Sequence, residues 1–204
     1  MEKTQIRIVA GSFRGRRLNV TVHAGLRPTP QRVRESFFSI LGNAIPDRPF
    51  FDLFAGTGVV GLEALSRGAS AATFLERDHR LGNDIESHLR EFGVQRVAQL
   101  LRTDVYRWTE RWRPPTGPVN VFVSPPFPDL EQRPADFHRL VLTMQSKLPP
   151  ESVLTIQAED IFDHAALPDA GRWEARRYGR NVLLFWEPGE DAAAPTAALH
   201  PPPS

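Results

Sequence analysis

The sequence predicts an α/β protein, in which helices cover both faces of a mostly parallel sheet and a β-hairpin and helix arm precedes it. Three observations support this fold class. From residue 50 to residue 156, short apolar segments alternate with segments of helical periodicity. A glycine-rich turn follows the first apolar segment, and two strand-like segments close the chain around Gly179-Arg180. Alternating strands and helices imply parallel strands, and the closing hairpin adds antiparallel ones.

Residues 1–45 form the predicted arm. A short strand is expected around Ile6, Ile8 and Val9, a loop over 11–17, and a second strand over Leu18–Val22. A helix then begins at Thr29-Pro30, because Thr29 can cap a helix and proline fits the first helical position.

The arm is also basic. Residues 1–40 contain eight Lys or Arg and two Glu, a net charge of +6, whereas the other residues contain 17 basic and 22 acidic side chains, a net charge of −5. A basic arm on an acidic body predicts a polyanionic partner.

Residues 46–187 form the predicted body, and residues 188–204 a disordered tail, since the latter hold five Pro and five Ala without periodicity. Strands are expected at Phe50–Phe54, Ala71–Leu75, Val97–Leu101, Val119–Val123 and Val153–Ile156, helices at Val59–Arg67, Leu81–Phe92 and Phe137–Lys147, and the hairpin strands at Trp173–Tyr178 and Asn181–Trp186.

Composition excludes several classes of protein. The 204 residues are 41% hydrophobic and 24% charged, which suits one packed domain. The absence of cysteine excludes a disulfide framework, a thiolate metal site and a cysteine nucleophile. The six histidines form no ligand-spaced cluster, so we expect no metal. No apolar run approaches ~20 residues, and the N-terminus lacks the apolar segment of a signal peptide. We therefore expect a soluble cytoplasmic protein.

The glycine-rich turn carries the first chemical signal. Gly56, Gly58 and Gly61 fit the pattern G-x-G-x-x-G between a strand and a helix, and Glu76 follows 20 residues after Gly56 at the end of the next strand. A carboxylate there can accept hydrogen bonds from ribose hydroxyls, which indicates an adenosine-like ligand. The alternative is a tight turn without a ligand.

Two acidic residues bear on the kind of ligand. Two adenosine-containing cofactors use such a turn, S-adenosylmethionine and a nicotinamide dinucleotide. Asp52 precedes the turn, where it would attract the cationic S-adenosylmethionine and repel the pyrophosphate of the dinucleotide. Alternatively, Asp52 binds N–H groups of the loop. Asp104 follows the third strand, where it reaches an adenine amino group or caps the helix that begins at Val105.

Ser124-Pro125-Pro126-Phe127 follows the fourth body strand. Two prolines cannot continue a central strand, so we expect a rigid extended turn with bare carbonyl groups at the carboxyl edge of the sheet. These carbonyls and Ser124 can accept hydrogen bonds from an exocyclic amino group, and Phe127 can stack on a base. The alternative is an ordinary proline-rich loop.

These motifs resemble those of class I S-adenosylmethionine-dependent methyltransferases. The segments from Arg7 to Leu18 and from Leu26 to Phe38 narrow the resemblance to the RsmD family, over roughly residues 6–186. That family methylates the exocyclic amino group of a guanine in small-subunit ribosomal RNA. The resemblance implies a Rossmann-like sheet of seven strands and the cofactor S-adenosylmethionine. It also implies that ribosomal RNA is the partner, either free or within an assembling small subunit.

The resemblance assigns roles to residues. It implies catalytic roles for Ser124, Pro125, Pro126 and Phe127. The cofactor would contact Asp52, Phe54, Ala55, Gly56, Thr57, Gly58, Gly61, Glu76 and Asp104. The RNA would contact Arg14, Arg16, Arg17, Arg32 and Arg34.

The chain departs from the family pattern at two places. Ser124 stands where the family usually has Asp, and a hydroxyl is a weaker acceptor than a carboxylate. Pro30-Gln31 stands where the family often has Thr-Asp. Three alternatives stay open: a nicotinamide-dependent oxidoreductase, a non-catalytic RNA-binding relative, and a methyltransferase acting on DNA or protein.

Overall fold

The computed structural model describes residues 2–22 and 28–189. Residues 23–27, within the predicted arm, and residues 190–204, most of the predicted tail, lie outside the described part of the chain. Among the described helices, none combines the length and the hydropathy that crossing a bilayer requires.

A seven-stranded sheet forms the centre of the body, which confirms the predicted fold class. The strands are β3 (Pro49–Leu53), β4 (Ala71–Leu75), β5 (Ala98–Leu101), β6 (Asn120–Val123), β7 (Val153–Glu159), β8 (Glu174–Tyr178) and β9 (Asn181–Trp186). Their order is β5-β4-β3-β6-β7-β9-β8, and β9 alone pairs antiparallel with both of its neighbours. The chain order reverses between β3 and β6, and open parallel sheets bind ligands beside such a reversal, at the carboxyl ends of the strands.

Helices cover both faces of this sheet. The α-helices are α1 (Gln31–Leu41), α2 (Val59–Ser66), α3 (His79–Phe92), α4 (Val105–Arg111), α5 (Phe127–Gln132) and α6 (Pro134–Lys147). Short 3₁₀ turns occur at Gly42–Ala44, His164–Ala166 and Ala170–Arg172. The apolar faces of α1, α2 and α3 share one core cluster, and those of α4 and α6 share the other.

The N-terminal hairpin consists of β1 (Glu2–Arg7) and β2 (Arg17–Val22), paired antiparallel. The prediction of a strand over Ile6–Val9 is therefore wrong at both ends: the strand begins earlier and stops before Ile8. The apolar pattern extended the predicted strand to Ile8, but Ile8 lies beyond the strand and is fully buried in the core shared with α1 and α2.

The loop between β1 and β2 is attached to the end of α2. The backbone N–H of Ser12 donates to the Ser66 carbonyl (2.7 Å), and that of Phe13 donates to Ser66 Oγ (2.9 Å). Gly11 has φ +81°, and a Cβ at this position would lie 1.7 Å from the Ser66 carbonyl oxygen. The loop thus supplies donors to the carboxyl end of α2, where helix carbonyls lack intrahelical partners.

The start of α1 differs from the prediction. Pro30, not Thr29, is the N-cap residue, and no side chain caps the helix. Thr29 is buried and its hydroxyl donates to Gln157 Oε1 (2.7 Å) on β7. The capping role is wrong because a tertiary partner takes the hydroxyl.

Candidate active site

A cavity of about 280 Å³ opens at the carboxyl edge of the sheet, at the reversal of strand order. Its walls come from the segments that follow β3, β4, β5 and β6 and from the residues before α1. Of the site residues predicted from the sequence, those lining it are Asp52, Phe54, Ala55, Gly56, Thr57, Glu76, Asp104, Ser124, Pro125, Pro126 and Phe127.

Asp52 is a buried carboxyl group at the end of β3. It is 1% exposed, and its Oδ2 accepts a hydrogen bond from the backbone N–H of Gly61 (2.9 Å). Burial raises its pKa to about 8; the bond from Gly61 opposes this rise, and the nearby Glu76 carboxylate adds to it. Both sequence interpretations of Asp52 are compatible with this placement, since it lines the cavity and also holds the loop.

Gly58 and Gly61 do not line the cavity but shape the loop that does. Gly58 is the N-cap of α2 with φ +73°, a conformation that favours glycine. At Gly61, a Cβ would lie 2.3 Å from Cε1 of Phe74, a buried residue on β4. The third glycine of the motif therefore serves close packing of helix on strand.

Glu76 closes the opposite side of the same loop. Its Oε2 accepts from the backbone N–H of Gly56 (2.9 Å), and its Oε1 accepts from that of Asp78 (2.8 Å). A carboxylate has about four lone-pair sites. Each oxygen of Glu76 thus keeps acceptor capacity for a ligand hydroxyl, and the side chain is held in place before any ligand arrives.

Asp104 takes one of the two roles that the sequence left open, that of a helix cap, while the contact with adenine stays a prediction. It caps α4, accepting from the backbone N–H of Arg107 (3.1 Å), and it also lines the cavity. Its Oδ2 lies 3.6 Å from Arg133 Nη1 and 3.9 Å from Arg77 Nη1. The carboxylate is thus engaged by protein partners as well as facing the cavity.

The proline turn lines the same cavity as the glycine loop and follows the neighbouring strand β6. The Ser124 N–H donates to the Leu53 carbonyl (3.2 Å), so the turn begins in register with β3. Pro126 is extended, with φ −54° and ψ 134°, but Phe127 already begins α5. The predicted extended turn is therefore shorter by one residue, because α5 follows it directly.

The cavity is also lined by residues that the sequence did not indicate as site residues. Pro28 and Thr29 line it from the arm, and Arg77 and Asp78 from the loop after β4. Thr29 is fixed by Gln157, whose Nε2 in turn donates to Asn181 Oδ1 (3.1 Å). Such pairings join distant segments, and no local sequence signal reveals them.

The predicted RNA contact at Arg34 is wrong in this structure. Arg34 is 2% exposed, and its Nε donates to Glu63 Oε2 (3.1 Å). Its other nitrogens donate to the carbonyls of Thr29 (2.7 Å) and Arg7 (2.9 Å). A guanidinium can serve as an internal multi-donor link because its fork suits several acceptors at once.

The four remaining arginines of the predicted set differ in availability. Arg14 and Arg32 are exposed, and Arg17 is exposed with a bond to Gln5 Oε1 (2.9 Å). Arg16 is half-buried, donates to the Glu91 carbonyl (2.7 Å) and lies 3.9 Å over the Phe92 ring. Arg14, Arg17 and Arg32 are therefore the candidates of this set that a polyanion can reach.

The donors and acceptors around the cavity suit an adenosine derivative with a cationic centre. Carboxyl groups at Asp52, Glu76 and Asp104 supply acceptors, whereas a pyrophosphate would meet three acidic groups. No group of three or more metal-ligating side chains occurs among residues 2–22 and 28–189.

Strand order, glycine loop and cavity together define the fold of the class I methyltransferases. The family model described as "Conserved hypothetical protein 95" matches residues 6–187, and the chain belongs to this family, the RsmD family of the sequence resemblance.

Two curated relatives carry related names. The chain is 40% identical over 123 residues to "Ribosomal RNA small subunit methyltransferase D" of Escherichia coli K12, a match that covers 60% of this chain and 61% of the relative. It is 34% identical over 123 residues to "Putative rRNA methyltransferase YlbH" of Bacillus subtilis, covering 60% and 67%. The matched segment thus spans about three fifths of the length of the E. coli relative.

Solved structures extend the likeness to nearly the whole chain. A "putative methyltransferase yhhF" from E. coli superposes with a TM-score of 0.70 at 27% identity, covering 91% of this chain and 98% of that one. A 16S rRNA N2-methyltransferase (RsmC) of T. thermophilus, determined with AdoMet and guanosine, has a TM-score of 0.70 at 19% identity, covering 92% and 50%. The second shows a shared fold only.

Proposed function

We propose that the chain transfers a methyl group from S-adenosylmethionine to the exocyclic amino group of a guanine in small-subunit ribosomal RNA. The observation that carries this proposal is that one cavity is lined both by Asp52 and Glu76 and by the Ser124–Phe127 turn. A cofactor site and an acceptor site for an amino group thus share one space. The names of the relatives support the RNA substrate.

The cofactor would be held by the segments after β3, β4 and β5. Glu76 would accept hydrogen bonds from ribose hydroxyls, Asp104 would face the adenine, and ionised Asp52 would offset the cationic charge. When bound, S-adenosylmethionine supplies a methyl group that is activated by a sulfonium. The glycine loop is already ordered by the Asp52 and Glu76 hydrogen bonds, so little reorganisation is needed on binding.

The proline turn would orient the target amine. A guanine amine is a poor nucleophile because its lone pair is delocalised into the ring. Hydrogen bonds to Ser124 Oγ and the Pro125 carbonyl would favour a pyramidal nitrogen, with its lone pair facing the cavity. Phe127 would stack on the base, which must leave its helix to enter. Positioning supplies most of the rate gain in such a site.

The arm would bind the phosphate backbone. Arg14, Arg17 and Arg32 are exposed and lie on segments that pack directly onto the body. Phosphate contacts of this kind position the RNA and make its affinity dependent on salt.

Methyl transfer to ribosomal RNA tests the proposal. Small-subunit RNA and small-subunit particles from cells that lack this protein are incubated with the protein and radiolabelled S-adenosylmethionine, and the modified nucleotide is mapped. We expect one labelled guanine, modified at its exocyclic amine. The rival function is that of a non-catalytic RNA-binding protein. Ser124 favours it, because a serine in place of a charged acceptor costs ~1.5–3 kcal/mol of hydrogen-bond energy to the target amine. Salt-dependent RNA binding without any label would support this rival.

A further inference from the structure

Tyr106 on α4 is a buried residue that contacts the surroundings of the cavity without lining it. It is 8% exposed, and its ring and that of Phe54 form a T-shaped pair with a centroid distance of 5.5 Å. Its hydroxyl donates to Asp129 Oδ2 (3.2 Å), and the Arg133 guanidinium lies 4.1 Å over its ring. Tyr106 therefore contacts a residue of the glycine loop and two residues that follow the proline turn.

Asp129 connects this tyrosine to the turn. It is buried in the first turn of α5, two residues after Phe127, and its backbone N–H donates to the Pro126 carbonyl (2.8 Å). The backbone of Asp129 thus fixes the second proline, while its side chain is fixed by Tyr106. A shift of Asp129 would carry the end of the turn with it.

Arg133 joins the same residues to the adenine side of the cavity. Its backbone N–H donates to the Asp129 carbonyl (2.9 Å), and its guanidinium lies 3.6 Å from Asp104 Oδ2. The walls after β3, β5 and β6 are therefore linked through Tyr106, Asp129 and Arg133. Burial and the neighbouring Asp129 carboxylate raise the pKa of Tyr106 above its ordinary value, so its hydroxyl stays a donor over the neutral range.

We propose that Tyr106 and Asp129 are positioning residues that hold the Ser124–Phe127 turn at a fixed distance from the cofactor side of the cavity. This inference rests on the proposed methyl transfer. Because Ser124 is a neutral acceptor, alignment of the amine depends on the placement of the Pro125 carbonyl. A misplacement of about 1 Å lowers a rate by ~100-fold in sites that work by orientation. Neither residue is among those that line the cavity, so each would act through the turn.

The test compares Tyr106→Phe with Tyr178→Phe in the full chain. These are the two tyrosines of the sequence, and each variant removes one hydroxyl. We expect Tyr106→Phe to lower kcat by roughly tenfold, because Asp129 loses its donor. The Kd for S-adenosylmethionine, measured by calorimetry, should change less than about twofold, and Tyr178→Phe should match the wild type. Asp129→Ala should lower kcat similarly, and the double variant should lose no more than the larger single loss.

Two results would overturn the inference. The first is a Tyr106→Phe enzyme with wild-type kcat. The second is a double variant whose loss of kcat is the product of the two single losses, together with an equal weakening of cofactor binding. The second result describes general destabilisation, which an unfolding titration of each variant would register. A wild-type chain that methylates no ribosomal RNA would instead overturn the proposed function, and this inference with it.

Discussion

Replacing Arg34 by methionine separates a structural arginine from an RNA-binding one. Methionine keeps much of the aliphatic volume but has no charge and no donors. The substitution removes the ion pair with Glu63 and leaves the carbonyls of Thr29 and Arg7 without their donor. The matched control is Arg32→Met, two residues earlier on the same helix, where the side chain is exposed.

The expected cost follows from burial. Removing one partner of a buried ion pair costs ~3–5 kcal/mol, because the other charge stays buried. Glu63 keeps a second partner, Arg67 Nη2 at 2.9 Å, so we expect the lower end of that range. For a chain of this size, each kcal/mol shifts Tm by roughly 2–4 °C, which gives a fall of about 6–12 °C.

Two measurements read the outcome. Thermal and urea unfolding should show a large loss of stability for Arg34→Met and a change within about 0.5 kcal/mol for Arg32→Met. When RNA affinity is measured against salt concentration, Arg32→Met should weaken binding and Arg34→Met should not. For Arg32→Met, the slope of log affinity against log salt should fall by about 0.7–0.9 for each phosphate that the variant no longer neutralises. If Arg34→Met unfolds like the wild type and weakens RNA binding as Arg32→Met does, the assignment of Arg34 to the interior is wrong.

Three further outcomes follow from the site. Because burial raises the pKa of Asp52 to about 8, a cationic ligand must displace the Asp52 proton below that pH. The affinity for S-adenosylmethionine, measured by calorimetry, should therefore rise by up to about tenfold per pH unit and level off above about pH 8. Asp52→Asn should abolish this pH dependence, and a flat profile for the wild type would contradict the prediction. Gly61→Ala should destabilise the protein by ~1–3 kcal/mol in urea unfolding, because the new Cβ would lie 2.3 Å from the Phe74 ring. The control is Gly117→Ala, since a Cβ at Gly117 has no atom within 4 Å, and equal stabilities of the two variants would refute the packing argument. Phe127→Ala should lower kcat/KM for RNA by roughly 10–100-fold through the removal of stacking worth ~1–3 kcal/mol, with cofactor affinity unchanged, and full activity would remove the base from this position.

Local pattern predicted the body of the fold closely. Ala71–Leu75 is a strand with the expected bounds, and α3 ends before Gly93, which has φ +71° at the C-cap. Apolar runs and glycine stops are local signals, and they act through backbone conformation and burial close to the residues themselves. The carboxyl edge of the sheet could be predicted for the same reason, since parallel strands bring their ends together.

Tertiary partners decided what the pattern could not. Arg34 is a charged residue that local pattern does not place in the interior, and its burial is favourable because Glu63 on α2 and two backbone carbonyls accept from its guanidinium. Thr29 is of a residue type that often caps helices, yet its hydroxyl donates to the side chain of Gln157, 128 residues later. The link between Tyr106 and Asp129 joins two helices in the same way. Pairings of this kind depend on the assembled fold and carry no periodicity.

The central claim is that one cavity holds the cofactor and the target amine together. A crystal structure of the protein with S-adenosylhomocysteine and guanosine tests it most directly. We expect the ribose hydroxyls within about 3 Å of the Glu76 carboxylate, and the guanosine amine within about 3 Å of Ser124 Oγ or the Pro125 carbonyl, with the sulfur between them. A nucleoside bound with its sulfur directed away from the Ser124–Phe127 turn, or a guanosine bound outside this cavity, would contradict the claim.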